Sequence, residues 1–284
     1  MLAGLMGIGQ LALAGCSTRP VSQPPVQPQA ALPTGPSFPP DMVSGRAIDA
    51  VIDISHSVKV SDFGAARERS NILGVLHKAT EGGDWQDPAY GERRVHATGA
   101  GLLWGAYHFG TRQYSGADQA KNFLATAQPG PDTLLALDLE LNERIPANTM
   151  SLHQAEEFVA TVAAITGRLP LVYTHPSWAD GHKTGPGGRC LGSAITPQSI
   201  LAQCDLWLAD YRGRPQLPIA WAGKGWRIWQ YAGEGSRPTG PADSPVRGVS
   251  GVERCDRNLF FGDTGTLTAY WRSGGDHSSG HPQS

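Results

Sequence analysis

Short apolar runs recur along this chain with amphipathic stretches between them, the pattern of repeated strand–helix units. Runs at 50–55, 72–78, 102–109, 134–140, 169–174, 205–211 and 226–232 each predict a strand. Asp87 followed by Pro88 predicts a helix start, and Gly99 its end. Ser151 with Gln154 makes a capping box; Leu152, Ala155, Phe158, Val159, Val162 and Ile165 then form an apolar stripe that Gly167 terminates. Thr196-Pro197 predicts another short helix, and beyond Tyr211 no long helical pattern follows. The expected fold is α/β: a single irregular TIM-like parallel β/α barrel with helix-poor, β-rich final units.

The 134–140 run carries the chemistry. Side chains alternate along a strand, so Ala136, Asp138 and Glu140 share one face while Leu135, Leu137 and Leu139 share the other. Two carboxylates among leucines point to a polar cavity at the strand end, because burying an unpaired carboxylate costs several kcal/mol. Paired acids of this kind suit cleavage of a glycosidic bond. A surface edge, a Mg²⁺ site or ion pairs with arginines would fit the segment as well. In a parallel barrel the C-terminal strand ends converge on one mouth, which would gather Asp53, Lys78, Tyr107, Asp138, Glu140, Tyr173 and Asp210. Tyr107, Tyr173, Trp207 and Trp229 could pack the core or offer a ring to a sugar's apolar face.

Composition narrows the partners. A net charge of −2 gives no footprint for nucleic acid. With 36 Gly, 22 Pro and 8 Trp among 284 residues, the chain reads as a loop-rich enzyme with an aromatic-lined groove, not a helical bundle. The nine His form no close cluster with Cys, so no metal and no cofactor is expected.

Residues 1–16 are apolar and uncharged up to Leu13-Ala14-Gly15-Cys16, which resembles a lipoprotein signal with Cys16 as the acylated residue. Residues 17–46 form a linker whose 17–40 stretch holds eight prolines; at about 3.1 Å per residue it would extend as a tether. A catalytic domain is expected over 47–272 and a disordered tail over 273–284. Cys190 and Cys204 flank a Gly-rich stretch and are the favoured disulfide pair, with Cys255 left over.

Seven segments, taken together, resemble glycoside hydrolase family 25, the Chalaropsis-type lysozymes. They are Ile52-Asp53-Ile54-Ser55-His56, His77-Lys78-Ala79-Thr80-Glu81-Gly82, Gly105-Ala106-Tyr107-His108-Phe109, Leu137-Asp138-Leu139-Glu140, Leu206-Trp207-Leu208-Ala209-Asp210-Tyr211, Trp229-Gln230-Tyr231 and Cys255-Asp256-Arg257-Asn258. Each is weak alone, but they occur in family order over 47–265. The resemblance implies an N-acetylmuramidase that cuts the β-1,4 bond between N-acetylmuramic acid and N-acetylglucosamine in peptidoglycan. It makes Glu140 the general acid, Asp138 its partner, and Asp53 and Asp256 further active-site carboxylates. Lys78 and Tyr173 would lie close to bound sugar, and Asp138 would stabilise an oxazolinium ion formed by the substrate's acetamido group. Cys255 stands where an aliphatic residue is more usual, and 182–203 looks like an insertion.

The expected protein is thus a monomeric hydrolase, exported and lipid-anchored in a bacterial envelope, with glycan strands as its partner. Its rivals are a catalytically silent peptidoglycan-binding lipoprotein, a metal-dependent hydrolase, and a hydrolase of another amino-sugar polymer. An acyl chain binds a bilayer with about 0.8 kcal/mol per buried CH₂, so Cys16→Ala should move the full-length chain from the membrane to the soluble fraction. A Cys16→Ala protein that still pelleted with membranes would defeat the lipoprotein reading.

Overall fold

The computed structural model describes residues 47–183, 188–233 and 246–275. The expectations for Cys16, for the 17–46 linker and for nearly all of the tail lie outside these residues. Among the described residues nine strands form in chain order: β1 (Ala47–Ile54), β2 (Gly74–Glu81), the short β3 (Trp85–Gln86), β4 (Leu103–Phe109), β5 (Leu134–Asp138), β6 (Leu171–Thr174), β7 (Leu206–Ala209), β8 (Ile228–Ala232) and β9 (Asp256–Phe261). Eight of them close a barrel in the order β1-β2-β4-β5-β6-β7-β8-β9, while β3 only extends β2 as a ribbon. Neighbours from β1 through β8 pair in parallel. β9 runs antiparallel to both β8 and β1, so the barrel is mixed where a fully parallel one was expected.

Helices cover the outside: α1 (Phe63–Arg69), α2 (Tyr90–Gly99), α3 (Gly116–Ala127), α4 (Leu152–Thr166) and the single turns α5 (Pro176–Ala179) and α6 (Ile200–Gln203). The capping box of α4 forms, and Gly167 ends that helix in the left-handed region at φ 72°. α2 starts later than expected because Asp87 Oδ1 accepts from the Ala89 N–H in a turn of its own. Likewise, Thr196-Pro197 precedes α6 without capping it; Ser199 is the cap. Between β7 and β8 there is only a 3₁₀ turn, in keeping with a helix-poor end.

Alternation sorts the strand residues into two cores. Ile52, Val75, Leu135, Leu137 and Val172 face the helices, while Val51, Leu76, Ala136, Tyr173 and Phe260 fill the barrel. A last helix, α7 (Thr264–Arg272), was not expected. Leu267, Tyr270 and Trp271 make its buried face, and they close the N-terminal end of the barrel. A Cβ on Gly74, the first residue of β2, would lie 2.6 Å from the Trp271 ring, so only glycine admits that ring. The Trp271 indole N–H donates to the Trp104 carbonyl at 2.7 Å.

The antiparallel strand is fastened by charge. Arg257 of β9 pairs with Asp49 of β1 at 2.6 Å, both almost wholly buried, and the Tyr231 hydroxyl of β8 donates to the same carboxylate oxygen at 2.9 Å. The expected Cys190–Cys204 disulfide is absent. Cys190 is exposed, Cys204 is buried under α6, and Cys255 is also free.

Trp271→Ala should therefore open the closed end and destabilise the fold by about 3–5 kcal/mol, read as a lower urea midpoint with an unchanged slope. A loss under about 1 kcal/mol would show that α7 is dispensable to the core.

Candidate active site

Closing the barrel with an antiparallel strand sets Asp53 of β1 directly across from Asp256 of β9. Asp53 is 5% exposed, yet it is well supplied with donors. The Gln230 side-chain amide donates to both of its oxygens, at 3.1 and 3.0 Å, and the Asn258 amide donates to Oδ2 at 2.7 Å. Gln230 also reaches Asp256 Oδ2 at 3.4 Å. The orientation of both amides is fixed from behind. Tyr173 and Tyr211 hydroxyls donate to Gln230 Oε1 at 2.8 and 2.7 Å, and the Trp207 indole donates to Asn258 Oδ1 at 2.7 Å. Burial raises Asp53 to about 6, against the lowering effect of the Asn258 and Gln230 hydrogen bonds.

Asp138 ends β5 and faces the barrel interior, where its Oδ1 is buried with no protein donor. Its carboxyl is raised well above the usual carboxylate range by burial, then by Glu140, with Lys78 opposing. Glu140 lies two residues beyond the end of the strand, not within it as the alternation implied. It lines the cleft nonetheless. Burial raises it to about 7, and the charges of Glu143 and Asp53 add to this while Lys78 opposes. Asp53, Asp138 and Glu140 therefore all hold their protons to higher pH than isolated carboxyls would. An acid of this kind can protonate a leaving oxygen near neutral pH.

The cleft encloses about 730 Å³ and is lined by Lys78, Glu140, Tyr173, Trp178, Tyr211 and Asp256, among others. A second groove of about 340 Å³, lined by His56, Trp85 and Tyr114, shares Lys78, Glu81 and Arg144 with it, so the two form one continuous trough. Lys78 is held at the junction. Its ammonium group pairs with Glu81 at 2.6 Å and sits 5.1 Å from the Trp85 ring centroid and 4.8 Å from that of Phe109. A third hollow of about 690 Å³ beside Pro129, Ile165 and Arg168 has no carboxylate in its lining and cannot do acid–base chemistry.

The sequence-predicted residues divide. Lys78, Glu140, Tyr173 and Asp256 line the cleft, with Asp53 and Asp138 buried beside them. Tyr107 lies deeper, edge-on to Trp207 at 5.8 Å inside the barrel. Asp210 and Trp229 do not reach the cleft. Ala209, the last residue of β7, faces inward, so Asp210 turns away; its carboxylate is gripped by Arg212 at 2.8 and 2.6 Å and by the Gln216 N–H. Trp229 is fully buried in the outer core, its indole donating to the Asp210 carbonyl at 2.6 Å. Gln230, Asn258, Tyr211 and Trp178 were missed or given little weight. The signal for two of them was parity: Gln230 is two residues from inward-facing Ile228, and Asn258 two from Asp256. Among the described residues no group of three or more His, Cys, Asp or Glu is placed to hold a metal ion.

The family model of glycosyl hydrolases family 25 matches residues 52–239. Lysozyme M1 of Streptomyces globisporus is 27% identical over 232 residues, which are 77% of this chain and 69% of that protein. The crystal structure of the Streptomyces coelicolor lysozyme is similar with a TM-score of 0.64 and 27% identity, covering 82% of this chain and 99% of that one. The muramidase structure from Acremonium alcalophilum gives a TM-score of 0.60 and 29% identity, covering 79% and 98%.

Proposed function

Because the chain belongs to glycosyl hydrolases family 25 and is a lysozyme-type glycoside hydrolase acting on peptidoglycan, we propose that it cuts the β-1,4 bond between N-acetylmuramic acid and N-acetylglucosamine. The observation that carries this reading is Glu140: a cleft carboxyl raised to about 7, beside the buried Asp138. Glu140 donates its proton to the glycosidic oxygen as that bond breaks. The acetamido carbonyl of the departing sugar's partner then closes on the anomeric carbon to give an oxazolinium ion. As that positive charge develops beside it, Asp138 releases its proton to solvent and balances the charge as a carboxylate. Water later opens the ring, and Glu140 accepts its proton. Asp53 and Asp256 hold the negative field of the cleft, and Lys78 and Tyr173 meet the sugar. The sequence of residues 1–46 supports an exported, lipid-anchored protein that works on the envelope from its tether.

Glu140→Gln keeps the shape of the side chain but cannot donate a proton, so turnover on purified walls should fall by about 10²–10⁴-fold or more with binding retained. Asp138→Asn should slow release of reducing ends strongly, because an amide cannot balance the oxazolinium charge. Since Glu140 must be protonated to act, wild-type activity should decline as pH rises through about 7. Glu140→Gln activity within about threefold of wild type would remove Glu140 from the role.

A further inference from the structure

Cations are scarce in the trough. Among the described residues, Lys78 and Arg144 are the lysine and arginine side chains that line it, against Glu81, Asp84, Glu140, Glu143 and Asp256. Lys78 is committed to Glu81 at 2.6 Å. Arg144 is exposed, has no hydrogen-bond or ion-pair partner among the described residues, and lines both the cleft and the adjoining groove. Its backbone is nevertheless fixed. The buried Asn142 side chain accepts from the Ile145 N–H at 2.9 Å, the Asn142 N–H donates to Thr149 Oγ1 at 3.0 Å, and the Asn148 N–H donates to the Ile145 carbonyl at 2.7 Å. A guanidinium on a hydrogen-bonded loop, lining a cavity and unpaired, is suited to take up a carboxylate.

We propose that Arg144 is the specificity-determining residue that binds a carboxylate on the glycan's lactyl or peptide arm. This rests on the reading of the substrate as a muramic acid polymer. In that polymer every second sugar carries a lactyl ether that ends in a carboxyl group or continues into a peptide bearing carboxylates. Elsewhere along the trough such an anion meets Asp84, Glu140 or Asp256, and Lys78 is already paired with Glu81, so among the described lining residues Arg144 is the lysine or arginine left free to take it.

The test uses the full-length protein on glycan oligomers in three forms: with intact peptide stems, stripped to the free lactyl carboxylate, and with all carboxyls converted to amides. Arg144→Gln should raise KM about tenfold on whichever carboxylate form carries the contact while leaving kcat nearly unchanged. Amidation should impose the same penalty on the wild type and none on Arg144→Gln. Arg144→Lys should recover part of the loss, since it restores the charge without the fork. If the wild type cuts all three forms with one KM, or if Arg144→Gln loses affinity equally for the amidated glycan, Arg144 does not read a carboxylate. If the wild type cuts none of them, the muramidase reading itself fails and the assignment with it.

Discussion

Everything at the mouth of this barrel depends on keeping carboxyl groups out of water without neutralising them by salt bridges. Asp53 shows how. It is reached by amides, not cations: Gln230 on two oxygens and Asn258 on one. An ion pair would pin the carboxylate in its charged form, whereas amides leave desolvation in command and Asp53 raised to about 6. The amides in turn need fixed orientations, which Tyr173, Tyr211 and Trp207 impose. The closing strand β9 supplies both Asp256 and Asn258, and its antiparallel direction is what sets Asp256 across from Asp53. Hence the buried Arg257–Asp49 pair, which takes no part in the chemistry itself, secures the strand on which the site is built.

This arrangement weakens the fold as pH rises. Asp53 and Glu140 have folded-state pKa values above their unfolded ones, so the native state binds more protons than the unfolded chain between those values. Their contribution to stability is present in full below the unfolded values, near 4, and is lost as pH climbs through about 6 and about 7. The burial that brings this about, joined at Glu140 by the charges of Glu143 and Asp53, is also what keeps a proton on Glu140 for catalysis. The rest of the barrel offsets the cost with a doubly packed core and the α7 plug.

Much of the fold was legible because both faces of each parallel strand are buried, which leaves continuous apolar runs bounded by turns. The ends of those runs located Asp53 and Asp138 at strand termini, as the structure has them. Side assignment was less legible. Asp210 and Asp138 look alike in sequence, each the polar residue closing an apolar run, yet one faces outward onto Arg212 and the other inward. Only the parity of their neighbours, Ala209 inside and Leu137 outside, separates them. The last strand and helix were hidden differently. Leu259-Phe260-Phe261 is a short apolar run well separated in sequence from the strand pattern at 226–232, and Leu267, Tyr270 and Trp271 had the helical spacing with Asp263 as cap. The Cys190–Cys204 expectation failed because closeness in sequence says nothing about burial: one thiol faces solvent and the other the core.

The central claim is that Glu140 enters the reaction already protonated because its surroundings hold the proton there. Carbon-13 labelling of the glutamate side-chain carboxyls, followed by NMR across pH 3 to 9, would read it directly as roughly a full titration window. The account predicts a midpoint of about 7 for the resonance that disappears in Glu140→Gln. A midpoint near the ordinary glutamate value of about 4.3 would contradict it, because Glu140 would then be ionised where it has to act as an acid.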